Sequence, residues 1–407
     1  MARKKLESDK VFDEWLERNN KRIGEIYVAQ VGEYPPTLDN FYGAVINEYV
    51  TTDVIRHYVD AIGDRNPLFR DENYAKKTRW GGIIGPPTMT DSIAQPYPFK
   101  QQPEEFAKFN KHVCFPYGNR REILKPIRPG YKMKVIHRYL GVTEVETELP
   151  EPIREFDEVV RREFVNQYGE VCAIVYSYMR HRINFDWVPE RSIYNVERRR
   201  PKLTDEERDA IYRNYDNEKR RGAEALYYED VSLGDKISLH PIGPSTVYDT
   251  AAFYTAIAGH AVAFELEWER IKLNPDFHWL DPEVNAWTCG GTCHFKDNFE
   301  DPKAHTWLYC GGYAVGFQGQ NEGLLGRMLT NWIGDNGFIR LLDTRTVQYP
   351  MVGEIFYNSG EVTGKKIEDR NYLVDLKVEC RNQDGAVLLT GTAQVQLPSK
   401  NDFYPIF

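Results

Sequence analysis

Alternating apolar and polar residues recur at two distant places in this 407-residue chain. Around Gly169, the segment FVNQYGEVCAIVYSYMRHRI contains a β-rich run, an Asn-Gln-x-Gly turn and a second β-rich run. The segment ECRNQDGAVLLTGTAQVQL repeats that order around Gly385. Two β-rich runs joined by a short glycine turn predict a β-hairpin. Upstream of the hairpins, a Pro-then-Gly sequence at Gly130 and again at Gly353 leads into a further strand. The chain therefore predicts two repeats built mainly from antiparallel strands.

Each repeat also has a predicted helix ahead of its strands. The segments TTDVIRHYVDAIGD and STVYDTAAFYTAIAGH match, so that Tyr58 corresponds to Tyr254 and Gly63 to Gly259. The helices would begin after hydroxyl side chains suited to N-capping, which are Thr51, Thr52 and Ser245.

A second helix is predicted in each repeat. In the later repeat, NEGLLGRMLTNWIG begins at Asn321 and buries one broad face. The apolar residues of that face are Leu324, Leu325, Met328, Leu329 and Trp332. In the earlier repeat the counterpart is TMTDSIA, which follows Pro86 and Pro87 and stops at Pro96.

A charged segment separates the two repeats. VPERSIYNVERRRPKLTDEERDAIYRNYDNEKRRGAEAL has few core residues and predicts a connecting helix with solvated faces. We therefore divide the chain into an N-terminal repeat, a charged helical linker and a C-terminal repeat with an insertion after His260, at residues 1–185, 186–225 and 226–407. Helices and antiparallel strands that follow one another in this way are typical of the α+β class.

Composition narrows the class of protein. The chain is 41% hydrophobic and 28% charged, as globular proteins are, and its formal net charge of -9 disfavours nucleic acid as a partner. We find no run of 18 apolar residues and expect no membrane partner. Six cysteines without a secretory signal predict reduced thiols and a cytoplasmic location.

One loop carries a family resemblance. AIGDRNPLFRDENYAKKTRWGGIIGPPTM resembles the MaoC-like dehydratase family, which includes the R-specific enoyl-CoA hydratases and whose loop reads Gly-Asp-x-Asn-Pro-x-His-x-Asp. The matching residues are Gly63, Asp64, Asn66, Pro67 and Asp71. The resemblance implies a double hot-dog fold, with two antiparallel sheets each wrapped around a central helix and a FAS1-type dehydratase-like N-terminal repeat.

The same resemblance implies an activity. Family members add water to an enoyl thioester or remove it from a 3-hydroxyacyl thioester, so we expect a hydratase or dehydratase acting on an acyl-CoA. The acyl group could be bulky or aromatic, and the substrate is carried as a coenzyme A thioester without another cofactor. The alternative is a non-catalytic or partner-dependent scaffold that binds acyl-CoA. In either case we expect a dimer, or a pseudo-dimer within one chain.

The first repeat lacks parts of the family's site. Asp64 is present, but Phe69 stands where the family has histidine, and Pro86 and Pro87 have no N–H to offer a ligand. Asp64 and Asn66 are equally typical of a helix-ending Asx turn. We therefore interpret the first repeat as non-catalytic.

The second repeat keeps the parts that the first one lacks. In CGGTCHFKDNFED, His294 and Asp297 take the place of the family's His-x-Asp, while Cys289 stands in the position of the family's aspartate. The segment AVGFQGQNEGLL then leads into the central helix, where Gly319 and Gln320 retain their N–H groups. We expect those N–H groups to bind the thioester oxygen.

These observations define the predicted site. His294 is the catalytic acid/base, supported by Asp64 and Asp297, while Gly319 and Gln320 bind the thioester oxygen. The substrate pocket is predicted from four residues, which are Asn66, Phe69, Cys289 and Glu322.

Several alternatives stay open at this stage. Glu322 or Asp335 could supply the missing carboxylate, and His278 is a rival for His294, although its place in the insertion favours a surface loop. His294 could also be a structural histidine beside Phe295. We expect no metal, because no Cys-x-x-Cys pair occurs among Cys289, Cys293, His294, His305 and Cys310.

Overall fold

A computed structural model describes residues 6–29, 45–94, 112–149, 151–184, 201–257, 264–273, 278–281, 285–289 and 318–402. The helices within these ranges are α1 (Glu7–Asn20), α2 (Thr52–Ala61), α3 (Glu72–Ala75), α4 (Asp205–Asp216), α5 (Val247–Ile257), α6 (Glu265–Leu273) and α7 (Gln318–Ile333). The strands are β1 (Ile26–Val28), β2 (His112–Ile123), β3 (Lys134–Val145), β4 (Arg154–Val165), β5 (Val171–Ile183), β6 (Lys236–Ser238), β7 (His278–Asp281), β8 (Ala286–Cys289), β9 (Phe338–Thr346), β10 (Tyr357–Glu368), β11 (Asn371–Arg381) and β12 (Val387–Leu397).

The two repeats share one antiparallel sheet. Across the described ranges, ten strands follow the order β1-β3-β4-β5-β2-β9-β12-β11-β10-β6, and β7 pairs only with β8. Strands β2 and β9 form the seam between the repeats, where Asn119 lies opposite Thr344 and Arg121 opposite Leu342. The predicted side-by-side arrangement of the sheets is therefore a single continuous sheet.

The seam requires a glycine in β2. A Cβ atom added at Gly118 would lie 2.1 Å from the carbonyl oxygen of Thr344, on the neighbouring strand. Because that neighbour is backbone, it cannot move aside as a flexible side chain would. Gly118 thus permits the close approach of the two repeats.

Matching contacts confirm the internal repeat. The N–H of Gly130 donates to Val50 O, and the N–H of Gly353 donates to Ser245 O, at 2.8 Å in both repeats. Both acceptors directly precede the residue that caps the first helix, since Thr51 caps α2 and the Thr246 hydroxyl accepts from Asp249 N. The predicted cap at Ser245 therefore lies one residue too early.

The predicted hairpins are also present in both repeats. Strands β4 and β5 turn at Gly169, and β11 and β12 turn at Gly385, with φ near +80° at each glycine. The side chain of the first turn residue accepts two backbone N–H groups in each case, at Asn166 and at Asn382. These Asx contacts explain why both turns begin with asparagine.

The central helix of the second repeat is α7, which packs on β6, β9, β10, β11 and β12. It begins at Gln318, three residues before the predicted start at Asn321. Its apolar residues Leu324, Leu325, Met328 and Leu329 are each at most 3% exposed. The helix predicted from the spacing of these apolar residues is therefore confirmed, and its apolar face is buried.

The predicted helix TMTDSIA in the first repeat is wrong in length. The described segment forms only a 3₁₀ turn over Met89–Ser92. From the end of this turn onward, Ser92 O accepts from the Asn47 side chain and Ala94 O accepts from Arg162 Nη1. A helix could not satisfy these two carbonyls, because the residues four positions on are Pro96 and Pro98, which have no N–H.

Helix α4 lies within the predicted charged linker. Thr204 and Glu207 form a capping box at its start, and Ile211 is its buried residue. A helix with one buried residue fits the predicted solvated faces. Helix α1, which we did not predict, packs Phe12 and Trp15 against Phe156 and the rest of a small cluster on the first repeat.

Candidate active site

The start of α7 is fixed by side-chain amides. The Gln318 amide donates to Thr346 Oγ1 and Pro116 O, at 2.7 Å each. Gln320 Nε2 donates to Ala61 O at 2.9 Å and to Asp249 O at 3.2 Å. These contacts join the helix start to β2, β9, α2 and α5. The first backbone N–H groups of a helix have no acceptor within it, so they are available to a ligand and carry partial positive charge.

A line of glycines brings α7 close to the other helices. A Cβ atom added at Gly319 would lie 3.3 Å from the Phe253 ring, and one at Gly323 would lie 2.6 Å from Ile62 Cγ2. A Cβ atom at Gly326 would lie 2.8 Å from Thr88 Cγ2. This packing role of the glycines was not predicted, although their spacing of four and three residues places them on one face of a helix.

A buried ion network lies beside the helix start. Arg121 Nη1 contacts Glu322 Oε2 at 2.6 Å, and Arg121 Nη2 contacts Asp91 Oδ2 at 2.7 Å. Arg162 Nη2 contacts the second oxygen of Asp91 at 3.1 Å. Two arginines and two carboxylates balance their charges, which is how ionic groups persist in a protein interior.

Glu322, predicted to line the pocket, belongs to this network. Besides the contact with Arg121, its Oε1 accepts from Thr344 Oγ1 at 2.7 Å, and its Oε2 accepts from Asn119 Nδ2 at 3.1 Å. The residue is completely buried. Glu322 therefore links the two repeats.

The electrostatic environment keeps Asp91 ionised. Burial raises the pKa of the Asp91 carboxyl, but the charges of Arg121 and Arg162 outweigh burial and hold the pKa below its ordinary value. Nearby, burial and Arg162 lower the pKa of His137 to about 3. His137 is therefore neutral, and neither of its ring nitrogens has a hydrogen-bond partner in the part of the chain that the structure describes.

The first-repeat loop forms the Asx turn that its residues predicted. Asp64 Oδ1 accepts from Asn66 N at 2.8 Å, and Asn66 Oδ1 accepts from Leu68 N at 3.0 Å. Asp64 is 1% exposed, and its second oxygen has no hydrogen-bond partner. Phe69, which replaces the family's histidine, lies in the hydrophobic core.

Asp64 lies beside the middle of α7. Arg327 Nη1 donates to Ile62 O at 3.1 Å and would lie 3.2 Å from a Cβ atom at Gly63. Burial raises the pKa of Asp64, and Arg327 only partly opposes that effect. The pKa of this carboxyl is thus shifted in the opposite direction from that of Asp91.

Among the described residues, two buried asparagines have side-chain amides without any hydrogen-bond partner. Asn321 on α7 and Asn358 on β10 are each 1% exposed, and both amide atoms of each are unbonded. Asparagine at these positions gave no signal in the sequence. Unpaired buried amides are costly, and native proteins retain few of them.

The other predicted carboxylate on α7 lies at the far end. Asp335 follows the C-terminus of the helix and accepts from Tyr74 Oη at 2.5 Å. Burial raises the pKa of its carboxyl. Asp335 is therefore remote from the first turn of α7, where Gly319 and Gln320 lie.

Two of the predicted site residues, His294 and Asp297, lie outside the described residues. Their roles therefore stay predictions. For Cys289 the structure describes the backbone, which pairs with that of His278 across β7 and β8. His278 was predicted to lie in a surface loop and is instead in a strand.

Two kinds of feature are absent from the described ranges. None of the helices there has the length and apolarity needed to cross a membrane. In the same part of the chain, no three His, Cys, Asp or Glu side chains are grouped as metal ligands would be.

Residues 40–173 match the family model described as "FAS1-like, dehydratase domain region". The first repeat resembles such a region. The match covers about a third of the chain and includes the loop at Asp64. No curated protein matches the sequence significantly.

Solved structures agree with this finding. A MaoC-like dehydratase is similar over 93% of this chain and 99% of its own, with a TM-score of 0.57 and 13% identity. A putative MaoC domain dehydratase from Chloroflexus aurantiacus covers 93% and 96%, with a TM-score of 0.54 and 11% identity. A conserved Mycobacterium tuberculosis protein described as a double hot-dog fold covers 92% and 96%, with a TM-score of 0.50 and 11% identity.

The chain has a double hot-dog fold. The predicted resemblance to the MaoC-like dehydratases is confirmed. The structural similarity shows the fold, whereas at 11–13% identity the chemistry has to be argued from the site.

Proposed function

We propose that this double hot-dog protein is a hydratase or dehydratase acting on an enoyl or 3-hydroxyacyl thioester of coenzyme A. The observation that supports the proposal most is the first turn of α7, where Gly319 brings helix N–H groups next to Phe253 and Asp91. A helix start of this kind stabilises negative charge on an oxygen atom. The dehydratase family match in the first repeat supports the same class of reaction.

The proposed reaction needs an oxyanion site and a proton carrier. Water oxygen bonds to C3 of the enoyl thioester while the electrons of the double bond move toward the thioester oxygen, giving an enolate. The N–H groups of Gly319 and Gln320 would stabilise that oxygen. His294 would take a proton from the water and return one to C2, and dehydration follows the same steps in reverse.

We further propose that the acyl group is bulky or aromatic. In support, the described part of the first repeat has a 3₁₀ turn at Met89–Ser92 where the short helix TMTDSIA was predicted. The ring of Phe253 beside Gly319 offers an apolar contact for an acyl chain. The amides of Asn321 and Asn358, in the interior of the second repeat, have no hydrogen-bond partner among the described residues. They are therefore polar groups that a substrate could satisfy.

The activity test is incubation of the pure protein with trans-2-enoyl-CoA compounds of increasing bulk, following loss of the conjugated thioester absorbance. We expect turnover with some of these compounds, and at least a 10²-fold lower kcat in His294→Ala with thioester binding retained. Arg56→Gln changes an exposed residue and serves as the control.

A second candidate is a non-catalytic acyl-CoA-binding scaffold. The observation that favours it is the first-repeat loop, where Asp64 is buried and accepts from Asn66 N and Phe69 is in the core. Binding of the CoA compounds without turnover of any of them would support the scaffold and reject the proposed activity.

A further inference from the structure

We propose that Asp91, which belongs to the first repeat, is the carboxylate that orients the reacting water or hydroxyl at the start of α7 in the second repeat. The inference rests on the proposed function, because it assigns a role at that same site. It differs from the sequence prediction, which sought the carboxylate in Asp64, Asp297, Glu322 or Asp335.

Position along α7 separates the candidate carboxylates. An α-helix rises about 1.5 Å per residue, so the backbone of Arg327, whose side chain contacts the Asp64 loop, lies about 12 Å along the axis from Gly319, and Asp64 itself is 1% exposed. Asp335 lies beyond the C-terminal end of the helix. By contrast, Asp91 Oδ2 is 3.9 Å from the position that a Cβ atom at Gly319 would occupy.

Accessibility separates Asp91 from Glu322. The side chain of Glu322 is fully buried, and both of its oxygens are engaged by Arg121 and seam residues. The side chain of Asp91 retains 13% exposure, although Arg121 beside it is 1% exposed. Asp91 is therefore the member of the network that a ligand can reach.

Asp91 also retains capacity to accept hydrogen bonds. Arg121 Nη2 binds Oδ2 and Arg162 Nη2 binds Oδ1. An ionised carboxylate has about four acceptor positions, so about two remain for a water or a 3-hydroxyl group. The two arginines fix the plane of the carboxylate, which would set the direction of the accepted hydrogen bond.

The charge of the network suits an orienting role. Arg121 and Arg162 offset Asp91 and Glu322, so the network does not add net negative charge beside a developing enolate. An aspartate held ionised by two arginines is a weak base. We therefore assign Asp91 the hydrogen bond from one O–H group of the water, while the second proton leaves to the separate acid/base group and reaches C2.

The kinetic test compares Asp91→Asn with Asp157→Asn. Asp157 on β4 also pairs with an arginine, Arg180, and its side chain has a similar exposure of 19%. We expect Asp91→Asn to lower kcat at least 10²-fold with KM within about threefold, and Asp157→Asn to keep kcat within about twofold. Wild-type kcat in a folded Asp91→Asn protein would overturn the inference.

A conservative variant addresses the risk of misfolding. Asp91→Asn removes a negative charge that offsets the positive charges of Arg121 and Arg162. Asp91→Glu retains that negative charge and displaces the carboxylate by one methylene. With a thermal midpoint like that of the wild type, Asp91→Glu should lose kcat about tenfold or more. Unchanged kcat in Asp91→Glu would also overturn the inference.

A binding measurement separates this inference from the proposed activity. We would titrate the wild type and Asp91→Glu with a saturated acyl-CoA and with its 3-hydroxy derivative by calorimetry. A hydrogen bond to Asp91 predicts that the wild type prefers the 3-hydroxy compound by about fivefold or more and that Asp91→Glu loses the preference. Equal affinities in the wild type would reject Asp91, whether or not the protein turns over enoyl-CoA.

Discussion

The carboxyl group of Asp64 is a buried acid with a raised pKa. Because the folded-state pKa lies above the ordinary value of 3.8, the folded protein binds the proton more tightly than the unfolded chain does. The stabilising effect of that proton is complete below about pH 4 and is lost as the pH rises through the folded-state pKa.

Asp64→Asn should remove this pH dependence. Asparagine keeps the acceptor for Asn66 N but cannot ionise, so the variant should gain stability relative to the wild type as the pH rises from 4 to 7. Each unit of pKa shift is equivalent to about 1.4 kcal/mol at neutral pH. Chemical denaturation at several pH values measures the difference, and a difference that is constant with pH would contradict the prediction.

Asn358 offers a second test at the level of single residues. Since no described residue hydrogen-bonds to either of its amide atoms, Asn358→Leu should raise the free energy of unfolding by about 1 kcal/mol in the absence of ligand. The control is Asn382→Leu, because Asn382 donates to Glu354 and accepts two backbone N–H groups. The control should be destabilised, and destabilisation of Asn358→Leu would show that its amide does have partners.

The roles of single residues could be predicted from the sequence where their interaction partners are close in sequence. The Asx turn at Asp64 and the turns at Asn166 and Asn382 were foreseen, because each side chain bonds its own backbone within a few residues. The pairing of Arg121 with Glu322 joins residues far apart in sequence. No local pattern contains that information, so the link and the nearby position of Asp91 required the structure.

Among the elements, α7 depends on its glycines as well as on its leucines. Glycine inside a helix is unfavourable by about 1 kcal/mol relative to alanine, so propensity alone predicts that Gly323→Ala is stabilising. The structure predicts the opposite, because the new Cβ would lie 2.6 Å from Ile62 Cγ2. We expect destabilisation of about 1–3 kcal/mol by overpacking.

A double variant tests the cause of that effect. Ile62→Ala removes the atom that clashes, so Gly323→Ala should cost less stability in the Ile62→Ala background than in the wild type. Thermal and chemical denaturation of the four proteins gives the coupling energy. Equal effects in both backgrounds would attribute the loss to another contact, such as the Tyr58 hydroxyl at 3.1 Å.

Helix prediction succeeded where periodicity was strong. The apolar spacing from Leu324 to Trp332 identified α7, and the hydroxyl caps identified α2 and, within a residue, α5. It failed over the short segment at Met89, where long-range donors bind the carbonyl groups. Local propensity cannot anticipate such donors, since Asn47 and Arg162 lie far from the segment in sequence.

At the scale of the whole molecule, Glu322 joins the repeats across the seam. Glu322→Gln would leave Arg121 buried with only Asp91 as an ionic partner, so we expect destabilisation of about 3–5 kcal/mol. Asp53→Asn breaks an exposed pair with Arg56 and should cost less than about 1 kcal/mol. Denaturant titration compares the two variants, and similar small losses would mean that the buried pair is not structurally important.

The strand order also has a consequence for how the chain can be divided. Strands β1 to β5 lie before residue 184 and β6 to β12 lie after residue 235, while β2 and β9 make the sole strand pairing between these groups in the described part of the chain. A backbone break after Asn184 would separate no strand from its neighbour. Two polypeptides encoded by separate genes could therefore assemble the same sheet as a heterodimer, with Asp91 and Gly319 meeting across the subunit boundary. In the present protein, fusion of the two halves guarantees their equal number and raises their effective concentration for one another.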